Sequence, residues 1–285
     1  FGFSVAGAGD VKGDGYSDVI SGAPLNDYSA LYAGAAYVYF GGVSPDVTPD
    51  FNFYGTNSND YFGYRVSGGC DINGDGYDDF LIAAPLNDAG EIDAGRVYLF
   101  YGGVMLDNIP DNIFSGAGSY YYLGYGISFL KNVDGTGNNE ILISSYSFKK
   151  VYLYTNKISG PDIPDLIFTG AAAGDYFGNS VASAGDVNGD GYNDFIVGAI
   201  SNDAGGSEAG RAYLYLGGSN LAFSNVIYLT GTTGNYLGYS VASAGDVNGD
   251  GYDDVIVGAP YDHTLGTASG YANIYFGGAV MDGTP

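Results

Sequence analysis

Five times along this chain an aromatic residue or Leu followed by Gly opens a unit of the same design: Phe1-Gly2, Phe62-Gly63, Leu123-Gly124, Phe177-Gly178 and Leu237-Gly238. The intervals are 61, 61, 54 and 60 residues. A repeat of this length constrains the fold more than any local propensity, because each unit must be one supersecondary module that completes its core against its neighbours. The best pair reads "YFGNSVASAGDVNGDGYNDFIVGAI" (176–200) against "YLGYSVASAGDVNGDGYDDVIVGAP" (236–260).

Each unit carries four strand-like runs. In the fourth they are "NSVASAGD" (179–186), "DFIVGA" (194–199), "RAYLYLGG" (211–218) and "VIYLTG" (226–231). β-Branched and aromatic residues fill these runs, and Gly, Pro, Asn and Asp separate them. The 50 Gly argue against a mainly helical chain, whereas the 29 Tyr and 16 Phe suit strands. Four short strands per 40–60-residue unit predict an all-β protein, a β-propeller of five four-stranded blades, in units of approximately 1–61, 62–122, 123–176, 177–236 and 237–285. A right-handed β-helix is the alternative, but its rungs are much shorter. The small residues of the first strand suit a crowded axis, and the Tyr-rich third strand suits the wider space between blades. The third unit is shorter, with "ISSYSFKKVYLY" (143–154) in place of a long loop between second and third strands. Strands one to three occur five times but strand four only four times, so the last blade is expected to take its closing strand from elsewhere or to lack it. The chain opens inside a repeat without an initiator Met and is read as a processed or trimmed segment.

Between first and second strands lies an acidic loop, Asp-x-Asn-x-Asp-Gly-x-x-Asp. Positions one, three and five place side-chain oxygens on one side of a tight turn. Gly at six permits the bend, position seven offers its carbonyl, and the ninth residue closes the shell. Hard oxygen donors with no His or Cys select Ca²⁺. The expected calcium ligands are Asp71, Asn73, Asp75, Tyr77 and Asp79; Asp186, Asn188, Asp190, Tyr192 and Asp194; and Asp246, Asn248, Asp250, Tyr252 and Asp254. Two further loops are expected to bind weakly or not at all. One keeps Asp10, Asp14, Tyr16 and Asp18 but has Lys12 at position three, where an ammonium opposes a metal; the other reads Asn132, Asp134, Thr136, Asn138 and Glu140, with fewer charges. A hairpin turn alone would explain Asn-Gly or Asp-Gly, but not Asp at one, five and nine together.

With these residues in view, the repeat resembles the FG-GAP family, found in the integrin α-subunit propeller and in bacterial surface proteins. Its name-giving elements stand here as Phe1-Gly2, Phe62-Gly63 and Phe177-Gly178, with "GAP" at 22–24 and 258–260 and "AAP" at 83–85. The third unit has lost both. The resemblance implies a propeller with calcium loops between the first and second strands on one face and ligand contacts on the opposite face. Integrin propellers have seven blades, so the five units here form either a five-bladed ring or part of a seven-bladed one.

Composition narrows the function. The formal charge of −24 excludes nucleic acid and anionic membrane surfaces as natural partners, and no apolar run reaches the roughly 18 residues that span a bilayer. The chain is read as no enzyme: His263 is the single His, in the polar loop "YDHTLG", and the acids have a fixed phase that assigns them to metal. Cys70 is read as a small packed residue. Arg96 and Arg211 share one phase, opening the third strand, and are expected to pair with neighbouring carboxylates. The reading is an extracellular or cell-surface adhesion or structural protein stabilised by calcium, since weak oxygen-only sites suit the millimolar calcium outside cells. Its partners are calcium and a protein or glycan ligand, and self-assembly into a filament by strand complementation at the unpaired blade edge belongs to the same expectation. The alternatives are a carbohydrate-binding propeller, using the loops at 86–95 and 201–210, and a hydrolase accessory domain.

Overall fold

The computed structural model describes residues 1–155, 163–172, 174–219, 223, 225–262, 269–281 and 283. His263 lies outside the described residues. The strands of the first two sheets are β1 (Ser4–Gly9), β2 (Asp18–Ala23), β3 (Ala35–Tyr39) and β4 (Phe51–Tyr54), then β5 (Arg65–Cys70), β6 (Asp79–Ala84), β7 (Arg96–Phe100) and β8 (Asn112–Ser115). A third sheet holds β9 (Leu123–Lys131), β10 (Asn139–Ser145), β11 (Lys150–Thr155) and β12 (Leu166–Thr169). A fourth holds β13 (Phe177–Gly185), β14 (Asp194–Ala199), β15 (Arg211–Tyr215) and β16 (Val226–Thr230). The last holds β17 (Ser240–Gly245), β18 (Asp254–Ala259) and β19 (Tyr271–Tyr275). Within every sheet the strands lie in sequence order. Among the described residues, five up-and-down sheets, four of four strands and one of three, are consistent with a β-propeller.

The expected runs therefore form the expected strands. The third strand stops before its Gly-Gly, because the first of those glycines turns its N–H toward the acidic loop (Gly217 to Asp194 Oδ1, 2.7 Å). In the short third unit a single 3₁₀ turn, Tyr146–Phe148, joins β10 to β11 and closes at Lys149 in the left-handed region.

The chain divides into two compact units, one holding the first two sheets and the other the last two together with β10–β12. In the first, Ile20, Val38, Phe53, Phe80, Ile82 and Phe100 build a core shared by both sheets. Phe80 stacks on Phe100 at 5.3 Å, and Phe53 meets both. The second unit repeats the device, with Phe195 stacked on Tyr215 at 4.9 Å and Phe168 against both. The strand that disappears into these cores is the second: β6 and β14 are buried at all six positions. First strands are less enclosed, and β17 exposes Ser240, Ala242 and Ser243. A second strand has hydrogen-bonded neighbours on both sides and side chains packed on both faces, so it reads as a continuous apolar run. Cys70 ends β5 and is buried, as a small packed residue. Among the described residues no helix is long and apolar enough to cross a membrane.

Candidate metal-binding loops

A bulge aims four of the loops. In four of the five sheets the register between first and second strands shifts by one residue just before the acidic loop, and Gly9, Cys70, Gly185 and Gly245 then pair directly with Asp18, Asp79, Asp194 and Asp254. A bulge bends its strand and re-aims the residues beyond it. Here it sets position one beside position nine across the mouth of the loop.

The three complete loops fold alike. In the first of them, Asp71 Oδ1 accepts the N–H groups of Gly74 (2.6 Å) and Asp75 (3.2 Å), and Oδ2 accepts that of Gly76 (2.8 Å). Asn73 Oδ1 accepts from the Asp75 N–H while its Nδ2 donates to Asp75 Oδ2, both at 2.9 Å. Asp75 Oδ1 accepts the Tyr77 N–H (3.0 Å). The same bonds recur around Asp186, Asn188 and Asp190, and around Asp246, Asn248 and Asp250. Gly76, Gly191 and Gly251 at position six have φ of +91°, +87° and +93°, which a side chain would strain.

Position nine is the buried end of the site. Asp79, Asp194 and Asp254 are fully buried. Each carboxylate accepts one N–H from position two of its own loop and one from the Gly that follows the third strand: Ile72 and Gly102, Val187 and Gly217, Val247 and Gly277, all between 2.7 and 3.0 Å. Burial, only partly offset by these donors and reinforced by the acids at positions five and one, raises Asp79 and Asp194 to about 7. Such a carboxylate is costly to ionise until positive charge arrives, so this donor set fits a bound cation. Among the described residues no three Asp, Glu, His or Cys side chains form a metal cage by themselves. The ligand set expected from the sequence is a mixed one, with the Asn amide and the position-seven carbonyl beside the carboxylates.

The two incomplete loops depart in different ways. In the third unit Asn132 Oδ1 accepts the Gly137 N–H (2.7 Å), but the Asn132 N–H donates to the Asn138 carbonyl (3.0 Å), the oxygen a metal would need. Glu140 accepts the Val133 N–H through Oε2, while its buried Oε1 has no hydrogen-bond partner among the described residues. Burial, with Asp134 nearby, raises Glu140 to about 8. No Gly-Gly pair follows β11. In the first loop Asp10 accepts the Asp14 and Gly15 N–H groups (3.0 and 2.7 Å), and Asp18 accepts those of Val11 and Gly41. Lys12 Nζ pairs with Asp14 Oδ2 at 2.9 Å.

Two sets of residues escape the sequence reading. Asp78 and Asp253, at position eight, reach across to the preceding loop, where their Oδ2 atoms accept the N–H groups of Asp10 (2.8 Å) and Asp186 (2.9 Å). A Cβ at Gly9 or Gly185 would collide with these carboxylates, and the rings of Tyr77, Tyr192 and Tyr252 lie where a Cβ at Gly13, Gly135 and Gly189 would stand. Neighbouring loops thus touch. The other set is a buried polar relay at the opposite ends of the strands: Asn87 Nδ2 donates to Asp60 Oδ2 and approaches Tyr98 Oη, and Asn202 repeats this with Asp175 and Tyr213. Its one signal is an Asp two residues before Phe-Gly, at 60 and 175. The expected carboxylate partner of Arg211 is not what the fold provides. Its Nε donates to Thr230 Oγ1 (3.0 Å) and its guanidinium lies 4.9 Å from the Tyr228 ring, because β15 pairs Arg211 with Thr230 across the sheet. Arg96, at the same phase, has a buried Nε with no acceptor among the described residues.

Three stretches, 62–100, 177–215 and 237–275, match the profile of the FG-GAP repeat. They are the three units whose acidic loops are complete. The chain is 32% identical to integrin alpha-5 of Xenopus laevis and 33% identical to integrin alpha-V of Gallus gallus, in each case over 71% of this chain and 20% of the relative. It is 28% identical to integrin alpha-IIb of Mus musculus over 90% of this chain, again 20% of the relative. The chain spans about a fifth of the length of these curated relatives.

Two outcomes are expected. Asp253→Ala removes the acceptor for the Asp186 N–H and should cost about 1–2 kcal/mol in urea unfolding, whereas Asp253→Asn, which keeps an acceptor oxygen, should cost less. In chelator, stability should fall as pH rises from about 4 to about 7: a carboxyl whose pKa is raised on folding holds its proton longer in the folded state, so the unfolded state binds fewer protons across that window. Urea midpoints measured across the window check the sign.

Proposed function

This chain is an FG-GAP repeat protein, and from that premise we propose that it works as an extracellular, calcium-stabilised adhesion module whose sheets are propeller blades. The observation that carries the reading is the set of fully buried position-nine carboxylates, held alike in three loops. Asp71, Asn73, Asp75, the Tyr77 carbonyl and Asp79 would hold one Ca²⁺, and the matching residues of the loops at 186–194 and 246–254 would hold two more. The ion supplies positive charge where the buried acids lack it and ties the end of each first strand to the start of the second. Oxygen-only sites of this kind commonly have Kd of about 10⁻⁴–10⁻³ M, which suits calcium outside cells. The integrin relatives support the adhesion role.

On the loops opposite the acidic ones, Tyr236, Tyr239, Tyr261 and Glu208 line an open concavity of about 520 Å³. Tyr236 and Tyr261 meet edge to face at 5.2 Å. Exposed tyrosine beside a carboxylate suits a protein ligand, and it is also the observation that favours the second reading, a glycan. Binding of the protein to a glycan array, lost in Tyr239→Ser, would favour the sugar; an empty array would remove it. Self-assembly by strand complementation at the edge of the three-stranded sheet belongs to the main reading too.

Thermal melts with calcium and with chelator, read alongside particle size, test the proposal. At 100 times Kd each site adds about 2.7 kcal/mol, so the melting temperature should rise by roughly 5 °C or more in calcium. An unchanged melt would overturn the calcium reading, and a monomer at high concentration in calcium would remove self-assembly.

A further inference from the structure

The first acidic loop matches the complete ones at positions one, five, six, seven and nine and departs from them at position three. Where the complete loops have Asn73, Asn188 or Asn248, it has Lys12. In those loops the Asn side chain serves the position-five residue twice, accepting its N–H through Oδ1 and donating to its carboxylate through Nδ2. Lysine has no oxygen to offer. Its ammonium reaches the same carboxylate instead, with Lys12 Nζ 2.9 Å from Asp14 Oδ2, the one ion pair found among the described residues. The ammonium also lies 4.4 Å from the centre of the Phe40 ring. Phe40 follows β3 and packs against the core of the first unit, so the charge is fastened to the blade's second hairpin as well as to the loop.

The rest of the loop keeps its calcium-type design. Asp10 still gathers N–H groups from the turn, and Asp18 is still buried at position nine between Val11 and Gly41. Of the chain's eight Lys and Arg residues, only Lys12 falls inside any of the five acidic loops. A divalent ion would have to share the site with a fixed positive charge after losing an amide oxygen, so the residues present do not fit calcium. They do fit a loop that already holds its cation.

We infer that Lys12 is the first loop's built-in counter-ion, its ammonium taking the place that a divalent ion takes in the complete loops, so that the first blade is clipped without metal. The inference rests on the calcium reading for the other loops, and the experiment separates the two. Calcium binding to the full chain is measured by equilibrium dialysis for wild type, Lys12→Asn and Lys12→Met, with circular dichroism to confirm that each is folded. Lys12→Asn restores the amide oxygen and removes the ammonium, and it should bind one more calcium ion per chain than wild type. Lys12→Met removes the charge without adding a donor, so it should gain no tight site and should melt lower than wild type in chelator. Lys12→Arg should restore that melt, and Lys131→Met, just before the third loop, should not change it.

Where wild type binds calcium, a folded Lys12→Asn with no added ion would overturn the inference. So would a wild-type protein that loses one bound ion on Asp14→Asn, because its first loop would then already hold calcium. If wild type and Lys12→Asn both bind no calcium, the calcium reading fails by itself. The chelator melts then decide whether Lys12 stabilises the loop: a Lys12→Met melt equal to wild type would end that claim as well.

Discussion

The structure turns on a carboxylate placed where water cannot reach it. At the start of each second strand an acid is buried at the base of a loop, where it accepts the N–H of its own turn and, in four of the sheets among the described residues, the N–H of a glycine beyond the third strand. In those four the acid joins three strands of its sheet at one point. Two neutral donors do not repay the loss of water for a full negative charge, and burial pushes the carboxyls of Asp79 and Asp194 up to about 7. The remaining features of the loop are answers to that shortfall. The bulge brings position one alongside, the left-handed glycine at six folds the turn back, and on the proposed reading a bound cation would complete the charge. On that reading Lys12, paired with Asp14, would answer in the first loop the demand that a metal ion answers in the complete ones.

Contacts between loops make these sites more than separate clips. Asp78 and Asp253 hold the backbone of the loop before them, and tyrosine rings cover its glycines. Backbone bonds from Gly103 to Val11, Gly218 to Val133 and Gly278 to Val187 continue the seam. Ordering one loop therefore orders part of the next within each compact unit. Repeat proteins gain most of their stability at such interfaces between units.

Much of this was legible in the sequence because the repeat multiplied the signal. The apolar runs at 79–84 and 194–199 could only be buried strands, and the fixed spacing of Asp marked the loops. Other features were hidden for physical reasons. Asp78 and Asp253 look like one more acid in an acidic loop, and their partner lies a whole unit away in sequence. Asn87 and Asn202 resemble loop asparagines, and only the fold brings Asp60 and Asp175 to them. Arg211 was expected to find a carboxylate in so acidic a chain, yet strand register sets Thr230 and Tyr228 beside it. Charge excess does not override which residue stands opposite in a sheet.

The claim at the centre is that the position-nine acids are ionised by a neighbouring cation. Carboxyl ¹³C NMR of aspartate-labelled protein, followed across pH with chelator and with calcium, reads this directly. The account predicts that the signals of Asp79 and Asp194 titrate near neutral pH in chelator and stay ionised well below it in calcium. Titration in the ordinary carboxylate range under both conditions would contradict it.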